Sequence, residues 1–441
     1  MASIRDLLSF LAGREPVASL EIQHALGVSQ ATASRLITQA GEQVLRLGRG
    51  RTTRYAAVLD LHGAGMAVPL FSVDRRGVAT ELGELRRLGG GQYLLEGQDL
   101  PSWLLGHEGT GLYPSLPYFL DELRPSGFVG RLKARALSAE WDFPQDPRTW
   151  AEQHVVQYLV RRGHDEPGNL ILGRAAVDVA QRSDGTAVTD RELEYPLLAG
   201  KVLGDQLVGS SAAGEQPKFL VWLKDTGHVI VKFSPAGSGD EARRWRDLLR
   251  AEALAQHALQ VQGIPAATAT IHEHEGRVFL ESPRFDRQGK RGRLPSLSLA
   301  SVDAEFAGVG LGWSRTAAAI HQRGLLDEAS LDQISWAELF GTWTGNSDMH
   351  LGNVSLRPAA EGFTLAPLYD MLPMSLAPNR GELPSPSFTP PLRPARRSEQ
   401  WDATGKAAEG YWRELADDAS LDQSLRRQAE MRAERISQLL G

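Results

Sequence analysis

The chain has 441 residues, 42% of them apolar and 23% charged, with a net charge of -6 and no cysteine. That length and apolar content allow two to four packed domains. The missing cysteines exclude disulfides, thiolate nucleophiles and cysteine-held zinc, and the acidic total leaves any nucleic-acid signature to be local. No run of eighteen apolar residues exists, so no membrane partner is expected. The segment Met1–Leu7 lacks a signal-peptide pattern, and the reading is a cytoplasmic protein.

Residues 1–58 carry seven arginines and no lysine against Asp6, Glu15, Glu21 and Glu42, a local charge of 7 − 4 = +3. Ile4, Leu7, Leu8 and Leu11 have helical spacing, and Ser19 opens a second helix as its cap. Gly27-Val28-Ser29 is a tight turn, and Gln30 to Ala40 is a third helix. Helix, glycine turn and helix make a helix-turn-helix pattern. Gln30, Thr32, Ser34 and Arg35 are then expected exposed near the start of the third helix, as donors suited to base edges and phosphates. Val44 to Tyr55 reads as two strands with a basic glycine-rich tip, where Arg49, Arg51 and Arg54 suit the DNA backbone or minor groove. The competing reading is a three-helix module that binds another protein. The layout resembles the winged-helix family.

From Leu59 to about Gly200 the chain reads as mixed α/β. Ala67–Val73 alternates like a strand, Gly77–Leu85 suggests another, and Gly89-Gly90-Gly91 precedes a third. Tyr118–Phe128 looks like a helix stopped by Pro125, and Trp150 to Arg162 like a helix ended by Gly163. No catalytic constellation stands out, and His154 and His164 lack a suitably spaced carboxylate.

The second half is richer. Between Leu207 and Val221 lies a loop of small residues, including Gly209, Ser210, Ser211, Ala213 and Gly214. Their backbone amides could approach a phosphate, although a plain hairpin fits equally. Lys232 ends an apolar strand, and Glu252 sits on the long helix that follows. A strand lysine and a helix glutamate form the ion pair by which protein kinases hold nucleotide phosphates. Val278–Leu280 runs into a short linker, Pro283 to Arg287, where a kinase hinge would offer backbone groups to adenine. Then comes Asp348-x-His350-x-x-Asn353, a small hairpin, and Asp370. Phosphoryl transfer needs such a set: one Asp to orient the attacking hydroxyl, and an Asn with a second Asp to hold magnesium. Pro384 to Arg397 reads as a loop or strap, with Arg393, Arg396 and Arg397 as an alternative basic docking patch; Arg413–Leu440 reads as the last helices.

These phrases, together with Ser211–Lys218, Val231-Lys232-Phe233, Arg284–Arg287, Asn346–Asn353 and Leu365–Asp370, resemble the HipA-like serine/threonine kinases, the toxins of bacterial toxin–antitoxin systems. The fused N-terminal segment resembles the YjjJ-like branch. The resemblance implies Asp348 as the catalytic residue and Asn353 and Asp370 as magnesium ligands. By the same resemblance Lys232 would contact the ATP phosphates, oriented by Glu252. Pro283 and Phe285 would offer backbone groups to adenine, and Asp286 would reach the ribose. Ser211, with Ser210 beside it, would be the loop serine whose autophosphorylation inhibits such kinases. Glu215 departs from the family loop and adds a negative charge there.

The expected fold is α+β: a winged helix at 1–58, an α/β subdomain at 59–200, a mixed nucleotide-binding lobe at 201–290 and a mostly helical catalytic lobe at 291–441. The expected activity is ATP- and Mg2+-dependent phosphorylation of a protein, with an aminoacyl-tRNA synthetase or translation factor as target by family resemblance. DNA and an antitoxin are the further partners. A nucleotide-sensing transcription regulator without phosphotransfer is the alternative; a sugar-kinase-type repressor fits poorly, since no D-x-G-x-T motif is present.

Overall fold

A computed structural model describes residues 2–182, 185–204, 216–379, 381–384, 387–393 and 399–441. Its backbone contacts divide the chain into two compact units. One comprises Met1–Asp74, Val78–Arg124 and Thr149–Arg182; the other comprises Arg75–Gly77, Pro125–Arg148 and Ser183–Gly441.

The first unit opens with three helices, α1 (Ile4–Ala12), α2 (Ser19–Leu26) and α3 (Gln30–Ala40). Ser3 and Asp6 cap α1 reciprocally. The α2 cap differs from expectation. Ala18 is the N-cap, its N–H bonded to Glu21 Oε1 at 3.0 Å, while the Ser19 hydroxyl accepts from Gln23. Gly27 turns the chain at φ +62°, a conformation that favours glycine. Leu7, Leu11, Ile22, Ala33 and Leu36 form the core under these helices.

Strand β1 (Val44–Leu47) pairs antiparallel with β2 (Arg54–Leu59). The last residues of β2, Val58 and Leu59, pair in turn with Leu88 and Arg87 of a larger sheet. That sheet contains β3 (Val68–Val73), β4 (Ala79–Leu88), β5 (Tyr93–Glu96) and β6 (Leu112–Tyr113). The boundary expected at 58/59 therefore falls inside β2. Helix α4 is short (Tyr118–Asp121), and Pro125 separates it from a fifteen-residue helix α5 (Gly127–Trp141), which begins where the single helix over Tyr118–Phe128 was expected to end. Helix α5 belongs to the second unit. The first unit closes with α6 (Glu152–Arg162), β7 (Leu170–Leu172) on the far side of β3, and α7 (Arg174–Arg182).

The second unit contains a five-stranded sheet. It is built from β8 (Ala187–Val188), β9 (Lys218–Leu223), β10 (Gly227–Phe233), β11 (Thr270–His274) and β12 (Arg277–Pro283), in the order β11-β12-β10-β9-β8. Phe219, Val221 and Leu223 alternate with Lys218, Leu220 and Trp222 along β9, so the two sets face opposite sides. The first set joins Val229, Val231 and Phe233 of β10 under Tyr195 and Ala199 of helix α8 (Arg191–Gly204). The other face receives α9 (Asp240–Val261), where Leu249 packs on Val278 and Leu280. The boundary expected at 200/201 falls inside α8.

The remainder is mostly helical: α10 (Leu299–Phe306), α11 (Trp313–Gln322), α12 (Glu328–Thr344), α13 (Glu399–Asp417) and α14 (Gln423–Leu440). Strands β13 (Arg287–Gln288) and β14 (Gly292–Arg293) form a small hairpin, so the boundary expected at 290/291 lies in its turn. Strand β15 (Leu297–Ser298) pairs with β16 (Ser355–Ala359), which pairs with β17 (Gly362–Leu365), the hairpin expected between Asn353 and Asp370. Buried Trp343, Trp401, Tyr411 and Trp412 fill the space among α12, α13 and α14.

Candidate active site

Cross-strand register puts Lys232 of β10 directly opposite Lys218 of β9 and Leu280 of β12, on the face that α9 covers. Glu252 lies on the buried side of α9, and the Lys232 ammonium donates to both of its carboxylate oxygens, at 2.6 and 2.8 Å. The same ammonium donates to Asp370, which comes from the far end of the sequence. The chain reaches that position because Leu368 pairs with the segment after α9: its N–H bonds to Pro265 O at 2.9 Å, and its carbonyl accepts from Ala267 at 2.8 Å. Asp370 itself holds φ +55°, a left-handed backbone that few non-glycine residues adopt.

Charge in this corner is mutually determined. Burial opposes the Lys232 cation, but Asp370 and Glu252 outweigh it and raise its pKa above that of an ordinary lysine. Burial raises the Glu252 carboxyl, and Lys232 offsets only part of that rise. Burial would also raise Asp370, but Lys232 and then Lys218 overcome it and hold the carboxyl below the usual range. Lys218 thus belongs to the electrostatics of the site although it was not among the expected residues. Its signal was legible once β9 and β10 were paired, because like charges directly opposite are unfavourable unless anions lie beside them.

The loop after α12 supplies the second corner. Gly345 ends the helix at φ +73°; a Cβ there would stand 2.7 Å from both Arg432 Nη1 and Ser375 Oγ, so the helix stops on a residue with no side chain. Asp348 follows, exposed, with its N–H bonded to Asn346 Oδ1 at 3.0 Å. Asn353 is buried, and its Nδ2 donates to Asp348 O at 2.7 Å. His350 Nδ1 accepts the Gly352 N–H at 3.1 Å, which leaves the proton on Nε2, 4.0 Å from Asp348 Oδ1. Two neighbours brace this loop. Trp313 Nε1 donates to His350 O at 3.0 Å, and the Tyr369 hydroxyl donates to Gly352 O at 3.1 Å.

At the edge of the sheet, the Arg284 N–H bonds to His228 O at 2.9 Å, whereas the Phe285 N–H has no backbone partner among the described residues. The Phe285 ring stacks on Tyr369 with centroids 5.8 Å apart. Asp286, the residue expected to reach the ribose, is engaged by its neighbours. It is 6% exposed, its carboxylate accepts from Arg284 at 3.0 and 2.8 Å and from Arg287 at 2.6 Å, and two guanidinium groups therefore occupy it. Gly209, Ser210, Ser211, Ala213 and Gly214 lie outside the described residues.

Magnesium takes hard oxygen ligands in a near-octahedral set. The donors fit: with Asn353 Nδ2 committed to Asp348 O, its Oδ1 remains as a ligand, and the Asp370 carboxylate is held ionised.

In the first unit, Gln30, Ser34 and Arg35 are exposed on α3, and Arg49, Arg51 and Arg54 are exposed at the tip and start of the β1–β2 hairpin. Thr32 departs from expectation. It is half-buried, its N–H bonds to Ser29 Oγ at 3.3 Å and its hydroxyl lies 3.1 Å from the same atom, because Ser29 caps the helix.

Comparison with known proteins adds the lineage. Residues 64–181 match the family described as the YjjJ-like toxin, middle domain, and residues 210–439 match the HipA-like C-terminal domain. Over its full length the chain is 33% identical to the toxin YjjJ of Escherichia coli strain K12, covering 98% of that protein. A solved Shewanella oneidensis complex of HipA, HipB and operator DNA contains a chain with the same fold. It superposes with a TM-score of 0.58 at 14% identity, over 85% of this chain and 99% of that one. No helix among the described residues is long and apolar enough to cross a membrane.

Proposed function

The chain belongs to the HipA-like toxin family, in its YjjJ-like branch, and from that premise we propose that it is an ATP- and Mg2+-dependent serine/threonine protein kinase. One observation carries the reading: buried Lys232 and Glu252 and half-buried Asp370 form a single ion cluster drawn from a strand, a helix and a distant loop. Lys232 would hold the nucleotide phosphates, with Glu252 fixing its ammonium. Phe285 N–H and the carbonyl of Pro283 would meet adenine. Asn353 and Asp370 would hold Mg2+, which when bound neutralises charge on the phosphates. Asp348, exposed and aimed by backbone bonds, would orient the hydroxyl of a protein substrate and accept its proton.

The same reading makes Ser211, or Ser210, the site of an inhibitory autophosphorylation, since a phosphate there adds about two negative charges beside those of the nucleotide. It makes a translation-related protein, such as an aminoacyl-tRNA synthetase, the target, and growth arrest the outcome. The N-terminal helices and hairpin act as a winged helix that binds DNA through Gln30, Ser34, Arg35, Arg49, Arg51 and Arg54, with an antitoxin as a further partner. Arg35, Arg49, Arg51 and Arg54 are exposed and form no ion pair among the described residues, which supports this.

The deciding experiment is purified protein with ATP and Mg2+, read by intact mass and peptide mapping beside Asp348→Ala. One added phosphate at Ser211 or Ser210, absent from the variant, is the expected result. Protein that binds ATP, carries no phosphate as purified and gains none would overturn the kinase reading in favour of a nucleotide-sensing regulator.

A further inference from the structure

Asp348 and Asp370 stand on separate loops, and one buried side chain bonds to both. Asn346 is 4% exposed. Its Oδ1 accepts the Asp348 N–H at 3.0 Å, and its Nδ2 donates to the Asp370 carbonyl at 3.3 Å, with Met371 Sδ at 3.6 Å. We infer that Asn346 is a positioning residue that sets the separation of Asp348 from Asp370, and so couples Mg2+ binding to the orientation of the attacking hydroxyl. This rests on the kinase reading above.

The chemistry of the two contacts fixes the side chain. A backbone N–H only donates and a carbonyl only accepts, so one group must offer an acceptor and a donor on a short arm. A carboxamide does this; a carboxylate presents an oxygen to the Asp370 carbonyl instead. Asn346 is itself anchored. Its N–H bonds to Gly341 O at 2.8 Å, inside the last turn of α12. Gly341 has no side chain, and a Cβ there would collide with the sulfur of Met349 and crowd that of Met371. The helix end therefore fits closely against the two loops that Asn346 joins.

The contact to Asp370 also bears on an unusual backbone. A non-glycine residue at φ +55° persists where its surroundings determine it. On one side, Leu368 is bonded to the segment 265–267; on the other, Asn346 holds the Asp370 carbonyl. Without the second hold, the position of the Asp370 carboxylate is set by Lys232 and the 265–267 pairing alone. Asn346 is buried, and its side-chain bonds go to the two loops. Its effect passes through the two aspartates.

The test is Asn346→Asp, which keeps the shape and the acceptor and removes the donor. Phosphate transfer from ATP is measured across a Mg2+ titration, with the melting temperature and metal-free ATP affinity recorded for each protein. The expected result is a kcat roughly 100-fold lower, the loss associated with a displacement on the order of 1 Å at a reacting centre. The Mg2+ requirement should rise while metal-free ATP affinity stays at the wild-type value, read at a temperature where the variant is folded, because a carboxylate buried against a carbonyl lowers the melting temperature. Wild-type kcat and Mg2+ dependence would overturn the inference, as would a kcat loss that merely follows a lowered melting temperature. Asn346→Ser, read on the same axes, serves if the Asp variant does not fold. The ratio of ATP affinities with and without Mg2+ needs no phosphotransfer. Wild-type protein that binds Mg2+–ATP but transfers no phosphate defeats the kinase reading alone, while an unchanged ratio in both variants defeats the role of Asn346.

Discussion

Two regions of this molecule carry their charge in opposite ways. On the first three helices and the β1–β2 hairpin, Arg35, Arg49, Arg51 and Arg54 stand in solvent. In the cleft of the second unit, Lys232 and Glu252 are buried and each is held by another ion. Exposed charges act additively on a distant partner and are screened by salt. Buried ones define one another, so that removing one leaves the rest uncompensated. Substitutions among the exposed arginines should therefore report on binding alone, and those in the buried cluster on folding and chemistry together.

The contrast would break most sharply at Lys232. Lys232→Ala leaves the buried Glu252 and the half-buried Asp370 without their cation, and a loss of about 3–5 kcal/mol of stability is expected together with abolished phosphotransfer. Thermal or denaturant unfolding measures the first and radiolabelled ATP the second. A double variant, Lys232→Met with Glu252→Gln, should recover much of the stability and none of the activity. If the single variant melts like wild type, the cleft is not the interlocked cluster described here.

Asp348 sharpens the comparison from inside the cleft, because it is an exposed charge at a buried site. Asp348→Ala should abolish transfer while changing stability by no more than about 0.5 kcal/mol, as for ordinary surface positions. Asp247 on α9 behaves oppositely. It is buried, and burial pushes its carboxyl up to about 6, only partly offset by the Asp422 N–H. A raised folded pKa means that this group favours the folded state below its unfolded value near 4, and that the favour is lost as pH rises through about 6. Asp247→Asn should therefore be more stable than wild type above pH 6, by roughly 2 kcal/mol, and match it near pH 4, where unfolding curves across that range decide. The smallest effects belong to the hairpin. Arg49→Ala and Arg51→Ala should each reduce the salt slope of DNA binding by about one and leave melting unchanged. A slope that stays constant would remove these arginines from the interface.

Much of the architecture could be read before the structure, for identifiable reasons. Helix α3 runs from Gln30 to Ala40 as expected because a glycine turn and the Ser29 cap mark its start and Gly41 its end. Lys232 and Glu252 meet because a strand lysine among apolar neighbours has few other stable partners. What escaped was of two kinds: polar groups claimed by a near neighbour in the chain, and contacts remote in sequence. Thr32 looked like a free donor until the Ser29 cap claimed it. Asp286 looked ready for a ligand, yet two adjacent arginines hold it. Asn346 lay inside the catalytic phrase and was passed over, since nothing local says that its amide reaches Asp370. Lys218 was visible only through strand register.

Strand β2 deserves a last consequence, for anyone who would cut this protein apart. Its first half pairs with β1 and its end with β4, and Ala56 and Val58 share one core with Leu88 and Leu94, against which Leu45 and Leu47 also pack. Gly89 and Gly90, just past β4, lie so close to the end of α1 that a side chain at either would collide with the backbone of residues 11 to 15. A truncation at residue 58 would therefore split a strand and strip apolar surface from the sheet that remains. Because β2 pairs on both sides, the N-terminal helices and the sheet beyond them form one folding unit, and a fusion of segments there no longer implies that they can be separated again.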